Sequence, residues 1–471
     1  MGIQSEALPV PIGHVEARGI ERVPEAERNH TRIWELGTLW FSANFVLSTV
    51  ITGSLAPFFG LGTADSILAI LIFNALGIIP VAFFSTLGPK LGLRTMTISR
   101  FAFGWRGGQL TALFNIAAAL GWSVVNTMIG ASLFSDVVGW PYWLGVILIA
   151  AATSAVSIYG YKYVHGYERW AWVPLAITFL ILAVVAAPHM HAVPTPTWSL
   201  AFVAGWLTYG GAILGFAIGW SSYSSDYSTY MPENVPAARV FWWTFAGEFL
   251  ACVLLELFGL ALTTWLPKDA GASSLLVGGA GPLGRFGSFL LLLIVASVVA
   301  NNIPNDYSLA LTTQVLGRWW MHVPRWALTG VGAVVYCIVA ILLGANVSTT
   351  LTNFLLLIAY WLGPWSVILM IEHFRFRHGR YNVQAWDNPR ALPLGWAALA
   401  SFLIGLIGVV LGANQTEFQG PIAKAFGGMD LGFELGIIFA AVAYLILRPL
   451  ELRQSGTRGA LEEERVAEPV S

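Results

Sequence analysis

Charge is what this sequence has least of. Only 10% of its 471 residues are charged, 24 basic and 25 acidic, against 56% hydrophobic, and the mean hydropathy is +0.70. Soluble domains carry about 25% charged residues, so an ordinary soluble globular protein is excluded. Cysteine is nearly absent: Cys252 and Cys337 both sit inside apolar runs. That rules out a disulfide framework and leaves each as a small hydrophobe. Phosphate-binding loops, H-E-x-x-H helices and nucleophile elbows are missing, and the eight histidines are scattered. The glycine pattern from Gly279 to Gly284 has no strand before it and contains Pro282, so it reads as a loop. No enzyme, cofactor, metal centre or nucleic-acid partner is expected. Met1 to Arg32 has no apolar core and carries Glu6, Glu16, Glu21, Glu25 and Glu27, so no cleavable signal is expected either.

What the chain has in quantity is apolar runs of membrane length. Twelve occur, at 36–58, 66–87, 109–134, 142–161, 168–187, 203–229, 240–264, 286–315, 326–344, 348–371, 393–412 and 430–448. A helix needs about 20 apolar residues to cross a bilayer, so the expected fold is an all-α polytopic membrane protein with twelve transmembrane helices. Of the 24 basic residues, all but Lys268, Arg285 and Lys424 fall on the side of these spans that holds the N-terminus. Basic loops stay inside. Both termini are therefore expected in the cytoplasm and the protein in the plasma membrane. The expected divisions are a polar, mobile tail at 1–35, a ten-helix core at 36–371, helices eleven and twelve with their preceding loop at 372–450, and a second tail at 451–471.

The stretch from Gly219 to Pro232, Gly-Trp-Ser-Ser-Tyr-Ser-Ser-Asp-Tyr-Ser-Thr-Tyr-Met-Pro, is wrong for the end of a membrane helix. Irregular polar backbone survives at depth only where protein or a wet cavity covers it. Its plain reading is a helix leaving the membrane at Ser221; its functional reading is a helix that stops midway and resumes as a polar one. Span one also carries polar groups, Ser42 and Asn44, and lies five spans earlier. Interrupted spans at matching places in two five-span halves, the second inverted because five is odd, are the sequence trace of a broken-helix transporter. Gly211, Gly215 and Gly219, four apart, give span six one smooth packing face.

Three further groups fall inside spans. Trp122 and Asn126 are four apart and share a helix face, so an indole surface lies one turn from an amide, a pairing suited to a planar heteroaromatic ring. Trp220, at the break of span six, offers a second aromatic surface; taken singly, each indole reads as packing. Asn301, Asn302 and Asn305 crowd span eight, where asparagines are costly unless they face a cavity or bond to another helix. Glu248 and Glu256, eight apart on one face of span seven, are candidate proton carriers or static hydrogen-bonding acids. Asp226 reads as an anchor. The link from Gly88 to Gly107 is too polar to span and too apolar for a loop, and reads as an interfacial segment.

That link, the Gly121-Trp122-x-x-x-Asn126 of span three, the Tyr223-to-Pro232 run of span six and the Asn301-Asn302-Ile303-Pro304-Asn305 of span eight together resemble the nucleobase:cation symporter-1 family, nearest its purine-cytosine permease branch. The resemblance covers spans one to ten. It implies a 5+5 inverted-repeat core of leucine-transporter type, with helices one and six broken and two helices outside. It also implies a ring held between Trp122 and Trp220, with Ser221 beside the break. Asn126, Asn44 or Ser42, and Asn301 or Asn302 with Asn305, would hydrogen-bond the ring. The coupling ion, H+ or Na+, would involve Ala43, Ser297 or Glu248. Sodium-coupled members place two hydroxyl residues together in span eight, where this chain has Ala296-Ser297. Losing one hydroxyl weakens a site wanting about five or six oxygens, which favours protons. The expected function is secondary active import of a nucleobase, cytosine or a purine. The alternatives are another heterocycle (allantoin, hydantoin, a thiamine precursor, a pyridine vitamin) or a passive channel. The expected partners are that small molecule and the lipid bilayer.

Overall fold

In hydrocarbon a backbone N–H or C=O finds no water, so an apolar run of this length folds as helix. The computed structural model describes residues 19–158, 161–266, 272–344 and 346–454, apart from the side chains of 161–171, 272 and 300. Its helices are α1 (Trp34–Asn44), α2 (Leu47–Ser54), α3 (Thr63–Leu91), α4 (Thr95–Val138), α5 (Tyr142–Ser157), α6 (Tyr161–Ala186), α7 (Leu200–Ile218), α8 (Ala237–Trp265), α9 (Ala272–Ala280), α10 (Gly284–Val315), α11 (Arg318–Met321), α12 (Arg325–Leu343), α13 (Val347–Ile371), α14 (Trp396–Gly412), α15 (Pro421–Ala425) and α16 (Gly432–Gln454). Among the described residues, nine are long and apolar enough to cross a membrane, or ten if the bent pair α1 and α2 counts as one span. α5 and α14 stand where spans four and eleven are expected, but have 16 and 17 residues. Length and composition thus bear out ten of the twelve expected spans, and two shorter apolar helices stand in the places of the other two.

The helices sort into two groups. α1, α2 and α3 pack with α7 and α8, while α4 and α5 pack with α10 and α12; α13 touches α7 and α4, and α14 and α16 pack outside it. Spans one and two thus join six and seven, and three and four join eight and nine. Partners five places apart in the chain share a group, as two repeated halves require.

The interfacial reading of the 88–107 link is corrected. α3 runs on to Leu91, and residues 95–104 form the buried start of α4, covered by protein rather than lipid. Arg377 donates to the Phe101 carbonyl at 2.8 Å, and Arg100 to the carbonyls of Val315 and Trp386, each at 3.1 Å. The segment turns into span three at Gly104, whose φ of 66° and ψ of −172° belong to glycine. The tail boundary also moves. Ile20 and Val23 are fully buried, and residues 19–32 lie against the N-terminal face of the helices. Val23 N–H donates to the Gly92 carbonyl at 2.8 Å, Arg28 to the Pro89 carbonyl at 2.6 Å, and His30 N–H to the Tyr230 carbonyl at 3.0 Å. At the other end α16 reaches Gln454, and Glu451 is buried; residues 1–18 and 455–471 of the expected tails lie outside the described ones.

Gly104→Ala should cost about 1–3 kcal/mol, because a methyl there meets the Pro393 and Leu394 carbonyls as well as a strained backbone. Gly60→Ala, also at positive φ but with open space around it, should cost less. Apparent melting temperatures in detergent test this, and a Gly104→Ala protein as stable as its parent contradicts it.

Candidate functional site

Span one stops being a helix at Asn44. Phe45 (φ −87°, ψ 63°) and Val46 (φ −140°, ψ 170°) are non-helical, and the chain bends by 60° before α2. Three of the freed backbone groups are met by side chains. The Ala43 carbonyl accepts from Asn301 Nδ2 at 2.6 Å, the Asn44 carbonyl from Thr49 Oγ1 at 2.5 Å, and Leu47 N–H donates to Ser297 Oγ at 3.3 Å. The Asn44 side chain donates back to the Trp40 carbonyl at 2.9 Å and accepts the Trp220 indole N–H at 2.8 Å. The break is thereby tied both to span eight and to the break of span six.

Span six ends as α-helix at Ile218. It does not resume as a polar α-helix: Gly219–Ser222 and Ser224–Tyr227 are successive 3-10 turns. Residues 219–229 are all buried, so the chain does not leave the protein at Ser221. The hydroxyls expected in this stretch tie it to its surroundings. Ser225 donates to the Leu93 carbonyl at 3.1 Å, Ser228 to the Ser85 carbonyl at 2.7 Å and Tyr227 to the Pro304 carbonyl at 2.9 Å. Asp226 is an anchor, as expected. Its carboxylate accepts from Thr95 N–H at 2.9 Å and Ser308 at 3.3 Å, while Arg94 donates to its carbonyl at 2.5 Å.

Beside the break of span six lies a pocket lined by Trp122, Phe216, Trp220, Tyr223, Asn301 and Asn305. Its free volume is about 10 Å³, room for about one water, against the roughly 300–1,000 Å³ of drug-sized sites. Ring contacts fix both indoles. Trp122 meets Phe216 and Phe354 edge-on at 5.5 and 5.0 Å, and Trp220 meets Trp40 at 5.6 Å. A Cβ on Gly219 would come within 2.9 Å of the Trp122 indole, so glycine there is what admits the ring. The rest of the expected glycine face packs too: Gly215 lies against the Leu355 backbone and Gly211 against the Leu356 side chain.

Four of the expected site residues, Trp122, Trp220, Asn301 and Asn305, line this pocket. Asn126, Asn302 and Asn44 do not. Asn126 Nδ2 donates to Asn301 Oδ1 and, at 3.1 Å, to Asn302 Oδ1; Asn302 donates to Thr127 Oγ1 at 3.1 Å. Asn126 lies one turn beyond Trp122, and that turn carries it to the depth of the span-eight amides, which claim its N–H groups. Ser42 and Ser221 are buried off the pocket, and the Oγ of each lacks a hydrogen-bond partner among the described residues. Ser297 Oγ donates to the Ile294 carbonyl at 2.6 Å and accepts from Leu47 N–H, so it and the Ala43 carbonyl are both engaged within the protein. Glu248 lies on α8, away from the pocket. Phe216 and Tyr223 were not foreseen. They stand four before and three after Trp220, on its own helical face, and that spacing was a usable signal.

A buried aromatic pocket beside an interrupted span, within a bundle of membrane-length helices, is what a broken-helix membrane permease presents. Residues 22–436 match the family described as permease for cytosine/purines, uracil, thiamine, allantoin, and the chain belongs to that family. It is similar to purine-cytosine permease fcyB of Emericella nidulans, 39% identical over 465 residues that cover 94% of this chain and 90% of that one. Purine-cytosine permease FCY2 of Saccharomyces cerevisiae is 35% identical, covering 94% and 87%. Among solved structures, Mhp1, a nucleobase-cation-symport-1 family transporter in a closed conformation with bromovinylhydantoin bound, superposes with a TM-score of 0.73 at 18% identity, covering 94% of this chain and 96% of that one. The chain shares that fold, the leucine-transporter type expected from the sequence.

Asn301→Ala removes the donor to the Ala43 carbonyl and the acceptor for Asn126 together. A stranded buried polar group costs about 1–3 kcal/mol, so the variant should melt several degrees below its parent. Asn353→Ala, at an exposed pair with Thr416, should not; equal melting of both variants contradicts the assigned role.

Proposed function

We propose that this protein imports a nucleobase, cytosine or a purine, by symport with a cation, protons rather than sodium. The observation that carries the reading is the composition of the pocket: two indoles, a phenyl ring and a phenol gathered with Asn301 and Asn305 around a cavity of about 10 Å³, which a ring would have to widen. Flat rings gain about 1–3 kcal/mol from stacking on an aromatic side chain. The amides then select among flat rings, because a ligand without the matching edge leaves a buried polar group unpaired. Trp122 and Trp220 hold the ring and Asn301 and Asn305 read it. Asn126, Asn302 and Asn44 fix the readers in place. Ser42 and Ser221, two buried hydroxyls beside the breaks, are available to a ring that widens the pocket.

Two findings favour protons. The oxygens expected to bind sodium, those of Ala43 and Ser297, are taken by Asn301 and by the backbone of Leu47, and Ala296 adds no hydroxyl. Glu248, by contrast, is a wholly buried carboxyl with no hydrogen bond to either oxygen among the described residues, as befits a proton carrier. The basic residues put both termini in the cytoplasm of a cell whose plasma membrane holds the protein, with residues 36–371 as the transport core. A second reading keeps this mechanism and changes the cargo to another heterocycle, since the family itself extends to thiamine and allantoin. A passive channel is disfavoured because the polar groups gather at one depth.

Cells making the protein should accumulate labelled cytosine against its gradient without sodium, and a protonophore should abolish that accumulation. Accumulation that requires sodium overturns the proton reading, and equilibration without accumulation overturns symport. Trp122→Ala and Asn301→Ala should each remove saturable uptake while the protein still reaches the membrane; normal uptake by either discredits the site. Competition by allantoin, hydantoin and pyridoxine that exceeds competition by adenine or cytosine would replace the cargo but keep the mechanism.

A further inference from the structure

The two carboxyls of α8 stand on one face, eight residues and so about 12 Å apart, with Cys252 midway, and all three are fully buried. Neither carboxyl lines the ligand pocket. That pocket draws its side chains from α4, α10 and the end of α7, whereas α8 packs on α1, α2 and α3. The register of this packing is set by glycines. Gly247 lies against the Gly37 carbonyl of α1, Gly53 of α2 against the backbone of Glu256, and Gly259 against the Val50 carbonyl. Glu248 is therefore level with the first half of span one and Glu256 with the second, so the break at Phe45 and Val46 falls between them.

Their surroundings differ. Both oxygens of Glu248 lack a hydrogen-bond partner among the described residues. Glu256 has one: Asn74 Nδ2 of α3, itself buried and also donating to the Ile70 carbonyl at 2.9 Å, reaches Glu256 Oε2 at 2.5 Å, while Oε1 has none. The titratable groups that sense the pair are Cys252 on the same helix and Tyr209 of α7, whose O–H donates to the Gly53 carbonyl at 3.2 Å. Both are uncharged at neutral pH, and among the described residues no cation of α1, α2, α3, α7 or α9 stands against either acid; α6 also packs on α8, and the side chains of its residues 161–171 lie outside the described ones. A buried acid with no cation beside it must be neutral to persist in hydrocarbon, and a protein that needed only packing there would use leucine.

We propose that Glu256 and Glu248 form a two-station proton site on the side of span one opposite the ligand pocket, with Asn74 as the positioning residue of Glu256. This rests on the proton-symport reading and adds Glu256 and Asn74 to it. Proton and ring then occupy separate sites, coupled through the broken span they share. Asn301 and Ser297 hold that break from one side, and α8 holds the two halves from the other. Both acids rest protonated. Glu248 releases its proton on the far side, the proton of Glu256 passes over water to the Glu248 carboxylate, which is too distant for direct transfer, and Glu256 takes a new proton from the near side. Each acid is restored to its neutral form, one proton has crossed, and nothing is oxidised or reduced.

The test uses the full chain in liposomes with labelled cytosine as probe. Glu256→Gln keeps the volume and can still bond Asn74. It should bind cytosine within about twofold of the parent and still exchange internal for external cytosine. Accumulation driven by an inward pH gradient should fall by about tenfold or more. Glu248→Gln should lose accumulation to the same degree, and combining the two should add nothing. Asn74→Ala should shift the pH dependence of accumulation, which a purely structural asparagine would not do. A Glu256→Gln protein that accumulates cytosine as the parent does, with the same protonophore sensitivity, overturns the proposal. So does an Asn74→Ala protein with an unaltered pH profile. A parent that neither binds nor exchanges cytosine shows instead that the nucleobase reading has failed, a different result from a parent that binds it and loses only gradient-driven accumulation in the variants.

Discussion

A peptide group stranded in hydrocarbon must find a partner inside the protein, and the centre of this molecule is arranged around that demand. Breaking span one exposes the Ala43 and Asn44 carbonyls and the Leu47 N–H. The groups that meet them come from two helices, Asn301 and Ser297 from α10 and Thr49 from α2. Span six poses the same problem and solves it with short 3-10 turns and its own hydroxyls. The polar residues of both spans are therefore the condition for having breaks at all. The ligand pocket is the space that remains once the breaks have been satisfied.

This explains a division of labour among the asparagines. An amide has two donors and an acceptor, so Asn301 can hold the Ala43 carbonyl, accept from Asn126 and still stand at the pocket wall. Asn126 and Asn302 bond to other side chains on spans three and eight, which fixes the depth at which Trp122 meets Gly219. Networks of this kind are rigid when fully satisfied. The ties at span one join the two helix groups, since Asn301 and Ser297 belong to one and span one to the other.

Charge is spent at the N-terminal face, where it fastens the outer helices. Glu372, at the end of span ten, is buried with Arg377 at 2.9 Å and Arg448 at 2.5 Å, and Arg448 continues to Glu451 at 3.0 Å. Glu451 in turn accepts from Gly395 N–H at 2.5 Å. Breaking such a buried set by removing one member strands the rest, at a cost of about 3–5 kcal/mol. Span twelve is thereby bound to span ten at an end where hydrophobic contact alone would let it slide.

Much was legible in the chain because the bilayer imposes a length and forbids unpaired backbone, and both rules act locally. Apolar runs located the helices, the misplaced polar stretch at 219–232 located a break, and the indoles Trp122 and Trp220 pointed to a pocket, though the amide paired with Trp122 there, Asn126, does not line it. Local rules stop where a contact joins distant segments. They could not say that Asn126 would bond to Asn301 rather than face a ring, because its partner is 175 residues away. Nor could they separate a segment buried by lipid from one buried by protein, so residues 95–104 were misread. Composition along one chain fixes how much of it must avoid water and where helix becomes untenable. Which polar group faces a ligand and which serves another helix depends on the packing of all the spans at once, since a hydrogen bond belongs to two atoms and only one is ever in view along the sequence.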